Sequence, residues 1–226
     1  MKILGLIPAR AGSKGIPHKN KKKLGGKPLL QYTIEAALGA SSLASVVFSS
    51  EDDELMELAE RMGAKVPFKR PDHLATDAAG SLEVVQHALQ SLEDDYDAVC
   101  LLQVTTPFRT SEDIDNAIER FKALGTDSLV SVQEVPHQYN PHWVFEEKEG
   151  VLHIATGEQQ IIKRRQELPK AYIRDGAIYI TKTEVLLKEH SFFGARMGAI
   201  ELDSKRHVNI DTLEDWKKAE ALLREL

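Results

Sequence analysis

Arg10, Lys14 and Lys19 stand close to Gly12 and Gly15 in the run Pro8-Ala9-Arg10-Ala11-Gly12-Ser13-Lys14-Gly15, which continues to Pro17, Lys19 and Asn20. Three cations and two glycines in one loop suit a polyphosphate. The glycines let backbone N–H groups approach the oxygens, and the cations neutralise charge. The spacing is neither the Walker A pattern nor the dinucleotide G-x-G-x-x-G pattern. The competing reading is an ordinary basic turn between a strand and a helix. The neighbouring Lys21, Lys22 and Lys23 read as a solvated basic run. A second chemical candidate is Gln103, which closes the apolar run Ala98–Leu102. Its amide both donates and accepts. The alternative for it is a strand-end amide that satisfies nearby backbone.

These residues need a frame that sets loops at one edge, and the hydrophobic pattern supplies one. Ile3–Ile7 is apolar without alternation, as in a strand buried on both faces. Pro28–Leu38 places Leu29, Leu30, Ile34, Ala37 and Leu38 on one helical face. Val46–Phe48 reads as a strand. Ser50 then offers an N-cap to a helix through Leu55, Leu58, Ala59 and Met62 that stops at Gly63. Lys65–Phe68 reads as a weak strand, Leu82–Leu92 as a helix and Ala98–Leu102 as a central strand. A helix through Ile114, Ala117, Ile118 and Phe121 and a strand at Ser128–Val132 come next. This alternation predicts an α/β fold: a three-layer, mostly parallel sheet with helices on both faces. Ligands in such sheets bind at the carboxyl ends of the strands, where the Arg10 loop would lie.

The alternation breaks near Val135. Trp143–Phe145 and Val151–Ile154 flank a Glu-Lys-Glu-Gly turn, which is hairpin chemistry. Residues 135–173 therefore read as an arm inserted in a core of 1–134 and 174–226. The core resumes at Ala177–Thr181 and closes on a helix from Asp211 or Thr212, with Trp216, Ala219, Leu222 and Leu223 on one face. An isolated hairpin is marginal in water. The arm's Tyr139, Trp143, Val144, Phe145, Val151, Leu152 and Ile154 predict a partner, most simply the same arm of a second copy in a two-fold homodimer.

The chain has 226 residues, of which 42% are hydrophobic and 28% charged, enough for a real core. A net charge of -6 argues against non-specific nucleic-acid binding. The opening apolar run is too short for a signal peptide, and no run approaches a membrane span, so no membrane partner is expected. One cysteine, Cys100, fits a small core hydrophobe and a reducing compartment; the expected location is the cytoplasm.

The loop string Pro-Ala-Arg-Ala-Gly-Ser-Lys-Gly with Lys19-Asn20 resembles the nucleotide-binding loop of the acylneuraminate cytidylyltransferases. These enzymes make CMP-activated sialic, legionaminic and pseudaminic acids. Four further stretches of this chain resemble the family in order. They are Arg70-Pro71 with Leu74-Ala75, Asp77 and Ser81; Leu101–Arg109; Arg165 with Leu168-Pro169 and Gly176–Ile180; and Phe192-Phe193 with Ile210–Thr212. The resemblance implies a Rossmann-like nucleotidyltransferase fold with a small dimerisation arm. It also implies attack by the anomeric hydroxyl of a nine-carbon 2-keto acid sugar on the α-phosphorus of CTP, with loss of pyrophosphate.

The same resemblance distributes roles. Arg10, Lys14 and Asp211 are the implied catalytic residues. Arg10, Ala11, Gly12, Ser13, Lys14, Gly15, Lys19, Asn20, Asp77, Ser81 and Gln103 are the implied nucleotide contacts. Gln103, Thr105, Arg164, Arg165, Tyr179, Phe192 and Phe193 are the implied sugar contacts, with an arginine suited to the sugar carboxylate. Thr105 is equally a cap for the next segment of chain, and the aromatics are equally core. Lying at the arm's return, Arg164 and Arg165 are candidates to complete the neighbouring subunit's pocket. Mg²⁺ or Mn²⁺ is the implied cofactor. The family commonly binds it with Asp-Ile-Asp, where this chain has Asn209-Ile210-Asp211. Residues 209 and 211 share a face when extended, so Asp211 is the expected main ligand and Asn209 a water-orienting neighbour. The competing reading is that Asp211 only tunes a helix N-terminus.

Two more departures matter. Val104 stands for the usual proline, and Trp143 stands near a lysine position of sialic-acid members. The latter resembles legionaminic or pseudaminic members more closely. Rival readings are a 3-deoxy-octulosonate cytidylyltransferase and a CTP-binding protein impaired in catalysis by Asn209.

Overall fold

The computed structural model describes all residues, Met1–Leu226. The chain opens with β1 (Ile3–Pro8), a small ribbon of β2 (Lys23–Leu24) and β3 (Lys27–Pro28), and α1 (Leu29–Gly39). Next come β4 (Ser45–Ser49), α2 (Asp53–Arg61), α3 (Ser81–Ser91), β5 (Ala98–Leu101), α4 (Ser111–Leu124) and β6 (Ser128–Glu134). β7 (Phe145–Lys148) and β8 (Val151–Ile154) form a separate hairpin. β9 (Tyr172–Lys182), β10 (Met197–Glu201) and α5 (Leu213–Leu222) complete the core.

Six strands form one sheet in the order β10-β6-β9-β5-β1-β4. β4, β1 and β5 run parallel, as do β6 and β10, while β9 lies antiparallel between β5 and β6. The strands bury both faces by alternation. Ile3, Ile7, Ala98 and Cys100 enter one core with α1, α2, α4 and α5. Leu4, Leu6, Val99 and Leu101 enter the other with α3. This is the expected three-layer, mostly parallel α/β architecture. Burial pushes the Cys100 thiol up to about 12, consistent with an inert core side chain.

Local expectations shift in four places. Asp52, not Ser50, caps α2: its carboxylate accepts the Leu55 N–H, while the Ser50 hydroxyl accepts the Asp52 N–H. The weak strand at Lys65–Phe68 shrinks to one bridge, Val47 to Lys65, because the chain turns away after a single pairing. β9 begins at Tyr172 rather than Ala177. It pairs with β6 on both sides of an irregularity at Val130/Val132, where Gly176 takes φ +80°. β10 had no clear signature, since Met197-Gly198-Ala199 mixes exposed and buried positions. The closing helix is capped reciprocally by Thr212 and Asp215.

Candidate active site

β1 pairs with β4 on one side and β5 on the other, so the chain reverses its direction of travel across the sheet between β1 and β5. A crevice opens at the carboxyl ends of strands at such a point. Here a cleft of about 420 Å³ is lined from separate stretches of chain: the loop after β1, residues 70–84, the turn after β5, and Asn209 with Asp211 before α5. Its size falls in the range of small-molecule sites, and its wall is mainly polar.

The loop after β1 is held from below by two groups. Arg70 is buried, and its guanidinium donates to the Ala9 carbonyl and to Glu51 Oε2 at 2.8 Å. Glu51 Oε1 in turn accepts the Ala11 N–H at 2.8 Å. Burial lowers the Arg70 pKa, and the Glu51 carboxylate opposes that shift. Asn20 Nδ2 donates to the Arg10 carbonyl at 2.9 Å, which braces the loop from its far end. Gly15 lies where an added Cβ would meet the Asp211 carbonyl oxygen at 1.9 Å, so only glycine lets the loop pack against that segment.

Lys19 is nine-tenths buried. Its ammonium donates to the Ile210 carbonyl at 2.7 Å and to Asp211 Oδ1 at 3.1 Å. Asn209 Nδ2 donates to Asp211 Oδ2 at 2.9 Å. The helix cap belongs to Thr212, so the Asp211 carboxylate turns to the cleft rather than to the helix end. Across the loop, Arg10 Nη2 lies 2.6 Å from Asp77 Oδ1 and Lys14 Nζ lies 2.8 Å from Asp77 Oδ2. Lys14, and then Arg10, hold the Asp77 carboxyl below its usual range. Arg109 is fully buried under the turn after β5, where its guanidinium donates to the carbonyls of Gln103 and Thr106 and to the Thr106 hydroxyl. Burial brings its pKa down to about 10. This cation fixes the turn that presents Gln103 and Thr105. The Thr105 hydroxyl is buried without a partner at the cleft wall.

Of the residues singled out by sequence, Arg10, Gly12, Ser13, Lys19, Asn20, Asp77, Ser81, Gln103, Thr105, Asn209 and Asp211 line this cleft. Lys14 lines an adjoining hollow with Arg10 and Asp77. Ala11 is engaged by Glu51, and Gly15 is a packing position. The structure does not bring the other sugar candidates into the cleft wall. Tyr179 and Phe192 pack together against the core under α3, with ring centroids 6.2 Å apart. Burial raises the Tyr179 pKa. Phe193 lies under the Arg174 guanidinium at 5.3 Å. Arg164 is exposed near Glu167, and Arg165 lines a hollow at the base of the arm with His137 and Asn140. Glu51 was not singled out by the sequence, and its signal was position alone, two residues past the end of β4. Arg109 closed the Leu101–Arg109 stretch of resemblance but was given no role of its own.

A cleft at the switch point of a parallel sheet, floored by cations and a glycine-bearing loop, defines a nucleotide-binding α/β protein. The sequence profile described as Cytidylyltransferase matches residues 4–225. The chain belongs to the cytidylyltransferase family. It is 35% identical to the pseudaminic acid cytidylyltransferase of Campylobacter jejuni, over 99% of this chain and 97% of that protein. It is 36% identical to the CMP-N,N'-diacetyllegionaminic acid synthase of Legionella pneumophila, again over 99% and 97%. It is 35% identical to the N-acylneuraminate cytidylyltransferase of Streptococcus agalactiae, over 96% of this chain and 52% of that longer protein. Among solved structures, a CMP:2-keto-3-deoxy-manno-octonic acid synthetase complexed with CTP superposes with a TM-score of 0.75. It covers all of both chains at 18% identity, a likeness of fold.

Proposed function

We propose that this protein transfers CMP from CTP to an acidic nine-carbon 2-keto sugar of the sialic, legionaminic or pseudaminic class, with release of pyrophosphate. The observation that carries the reading is the convergence of Arg10, Lys19, Asn20, Ser81, Gln103 and Asp211 on one cleft, together with full-length similarity to three relatives named for that class of reaction. The sugar's anomeric oxygen bonds to the α-phosphorus and gives up its proton to solvent, as the bond to the bridging oxygen breaks and pyrophosphate leaves with that oxygen. Catalysis of this kind is mostly positioning and charge stabilisation. Arg10, Lys14 and Lys19 supply three positive charges for a triphosphate and for the charge that grows on its leaving group. Gln103 and Thr105 sit on the turn that Arg109 pins, so they can orient the second substrate beside the nucleotide.

The donor set near α5 fits a divalent ion only in company with the nucleotide. No group of three or more His, Cys, Asp or Glu side chains converges anywhere in the chain. Asp211 offers one carboxylate, 61% exposed, and Mg²⁺ needs few carboxylates when phosphate oxygens and waters complete its shell. Asp211 would hold the ion, and it would add Lewis-acid stabilisation of phosphate charge. Asn209, which donates its amide to Asp211, orients that carboxylate.

The arm supports a homodimer through residues 135–173. Tyr139, Phe145, Val151, Leu152 and Ile161 are exposed on it, more apolar surface than a two-stranded ribbon keeps in water. Arg164 and Arg165 stand clear of their own cleft wall, which favours a role in the neighbouring subunit's pocket. No helix is long and apolar enough to cross a membrane, and a CTP-consuming reaction suits the cytoplasm.

The test is pyrophosphate release from CTP with pseudaminic, legionaminic and N-acetylneuraminic acids and with 3-deoxy-octulosonate. Turnover on a nonulosonic acid is the expected result. Turnover on 3-deoxy-octulosonate alone would transfer the protein to that rival class. CTP binding with no turnover on any acid would make it a nucleotide-binding protein without this activity.

A further inference from the structure

Asp77 is an anion in a site suited to a more strongly charged anion. With no cation between them, an ionised carboxylate repels a triphosphate, because like charges repel. Its two oxygens are instead divided between the two most accessible cations of the loop, Arg10 at 2.6 Å and Lys14 at 2.8 Å. Neither cation has another acidic partner, and Arg10's one other contact is the Ala75 carbonyl at 3.3 Å. Asp77 caps no helix and its side chain makes no other hydrogen bond or ion pair, so it does not serve as a local turn former. The other two cations of the site differ: Lys19 and Arg70 are buried and tied to Asp211 and Glu51 in the body of the fold.

We propose that Asp77 is an internal counter-ion, a stand-in for phosphate that occupies Arg10 and Lys14 until nucleotide arrives and reclaims them as pyrophosphate leaves. This rests on the reading of the loop as a triphosphate site. Binding then exchanges one set of ion pairs for another instead of neutralising bare cations. Affinity for triphosphate and pyrophosphate is thereby held down, and product leaves faster. The segment carrying Asp77, between Arg70 and α3, is tethered to the loop by this exchangeable contact and by the Arg10 bond to the Ala75 carbonyl.

The proposal reverses the usual sign of a contact-removing substitution. In the full-length protein, Asp77→Asn should tighten calorimetric binding of pyrophosphate and of CTP by about tenfold at low ionic strength, as expected for freeing two exposed ion pairs. The gap should narrow as salt is added. Asp77→Glu, which keeps the charge, should stay within about twofold of the parent. Should Asp77→Asn fold poorly, Asp77→Ala carries the same expectation. Unchanged or weaker pyrophosphate binding in a folded neutral variant overturns the proposal. Arg10→Ala separates the two ideas. If it binds CTP as the parent does, the triphosphate reading of the loop fails. If it weakens CTP while Asp77→Asn tightens nothing, only the counter-ion role fails.

Discussion

In the cleft, polar groups are tied to partners far along the chain: Lys19 to Asp211, Arg10 to Asp77, and the Ala11 N–H to Glu51. In the arm, β7 and β8 pair only with each other, and Arg164 finds only Glu167, 3.8 Å away. The cleft stands on strands whose side chains are buried on both faces, and the arm's strands are exposed almost throughout. The difference teaches where precision comes from. A site on sheet ends inherits its geometry from a core that is already paid for, whereas the arm is held mainly by ties within itself, such as Trp143 Nε1 to the Ile162 carbonyl and Asn140 Nδ2 to the Pro169 carbonyl.

Substitutions that strain this contrast rank by expected size. Glu51→Ala strands the buried Arg70 guanidinium and frees the Ala11 N–H, so urea denaturation should show a loss of about 3 kcal/mol. A loss well under 1 kcal/mol would mean that the loop is not anchored through this pair. Arg10→Ala, at the mouth of the same loop, should leave the fold intact and lower kcat for pyrophosphate release by about 10²-fold or more. Phe145→Glu combined with Leu152→Glu should abolish the proposed dimer in light-scattering chromatography, while the core's unfolding free energy moves by about 0.5 kcal/mol or less. If the core unfolds with the arm, the two regions are one cooperative unit and the contrast fails. Asn209→Asp should have the mildest effect, activity equal to or somewhat above the parent's. Its sharper readout is Mn²⁺ bound in the presence of CTP without sugar, which a second carboxylate should strengthen several-fold. Unchanged Mn²⁺ binding would remove residue 209 from the metal's surroundings.

Much of the core was legible because its signals are local. The unbroken apolar runs at Ile3–Ile7 and Ala98–Leu102 reflect burial on two faces, and the helical stripe at Ile114, Ala117, Ile118 and Phe121 is the buried face of α4. The loop from Arg10 to Asn20 was legible for a similar reason, since closely spaced glycines and cations constrain one another within a few residues. β10 and the antiparallel insertion of β9 were not, because pairing between strands distant in sequence leaves no period along the chain. Nor was Glu51, an ordinary surface acid by sequence until β4 sets it beneath Ala11.

By itself, the sequence determined most of the core's strands and helices, and that cations and glycines cluster after the first strand. Burial periodicity and backbone freedom act between near neighbours, so they are written along the chain. Only the tertiary structure decided which charge answers which. Asp77 meets Arg10 and Lys14, Asp211 meets Lys19, and Glu51 meets Arg70, while Tyr179 and Phe192 pack into the core beneath α3. Coulomb attraction and hydrogen bonding act over a few ångströms of space, and the folded sheet alone brings residues such as Lys19 and Asp211 within that reach.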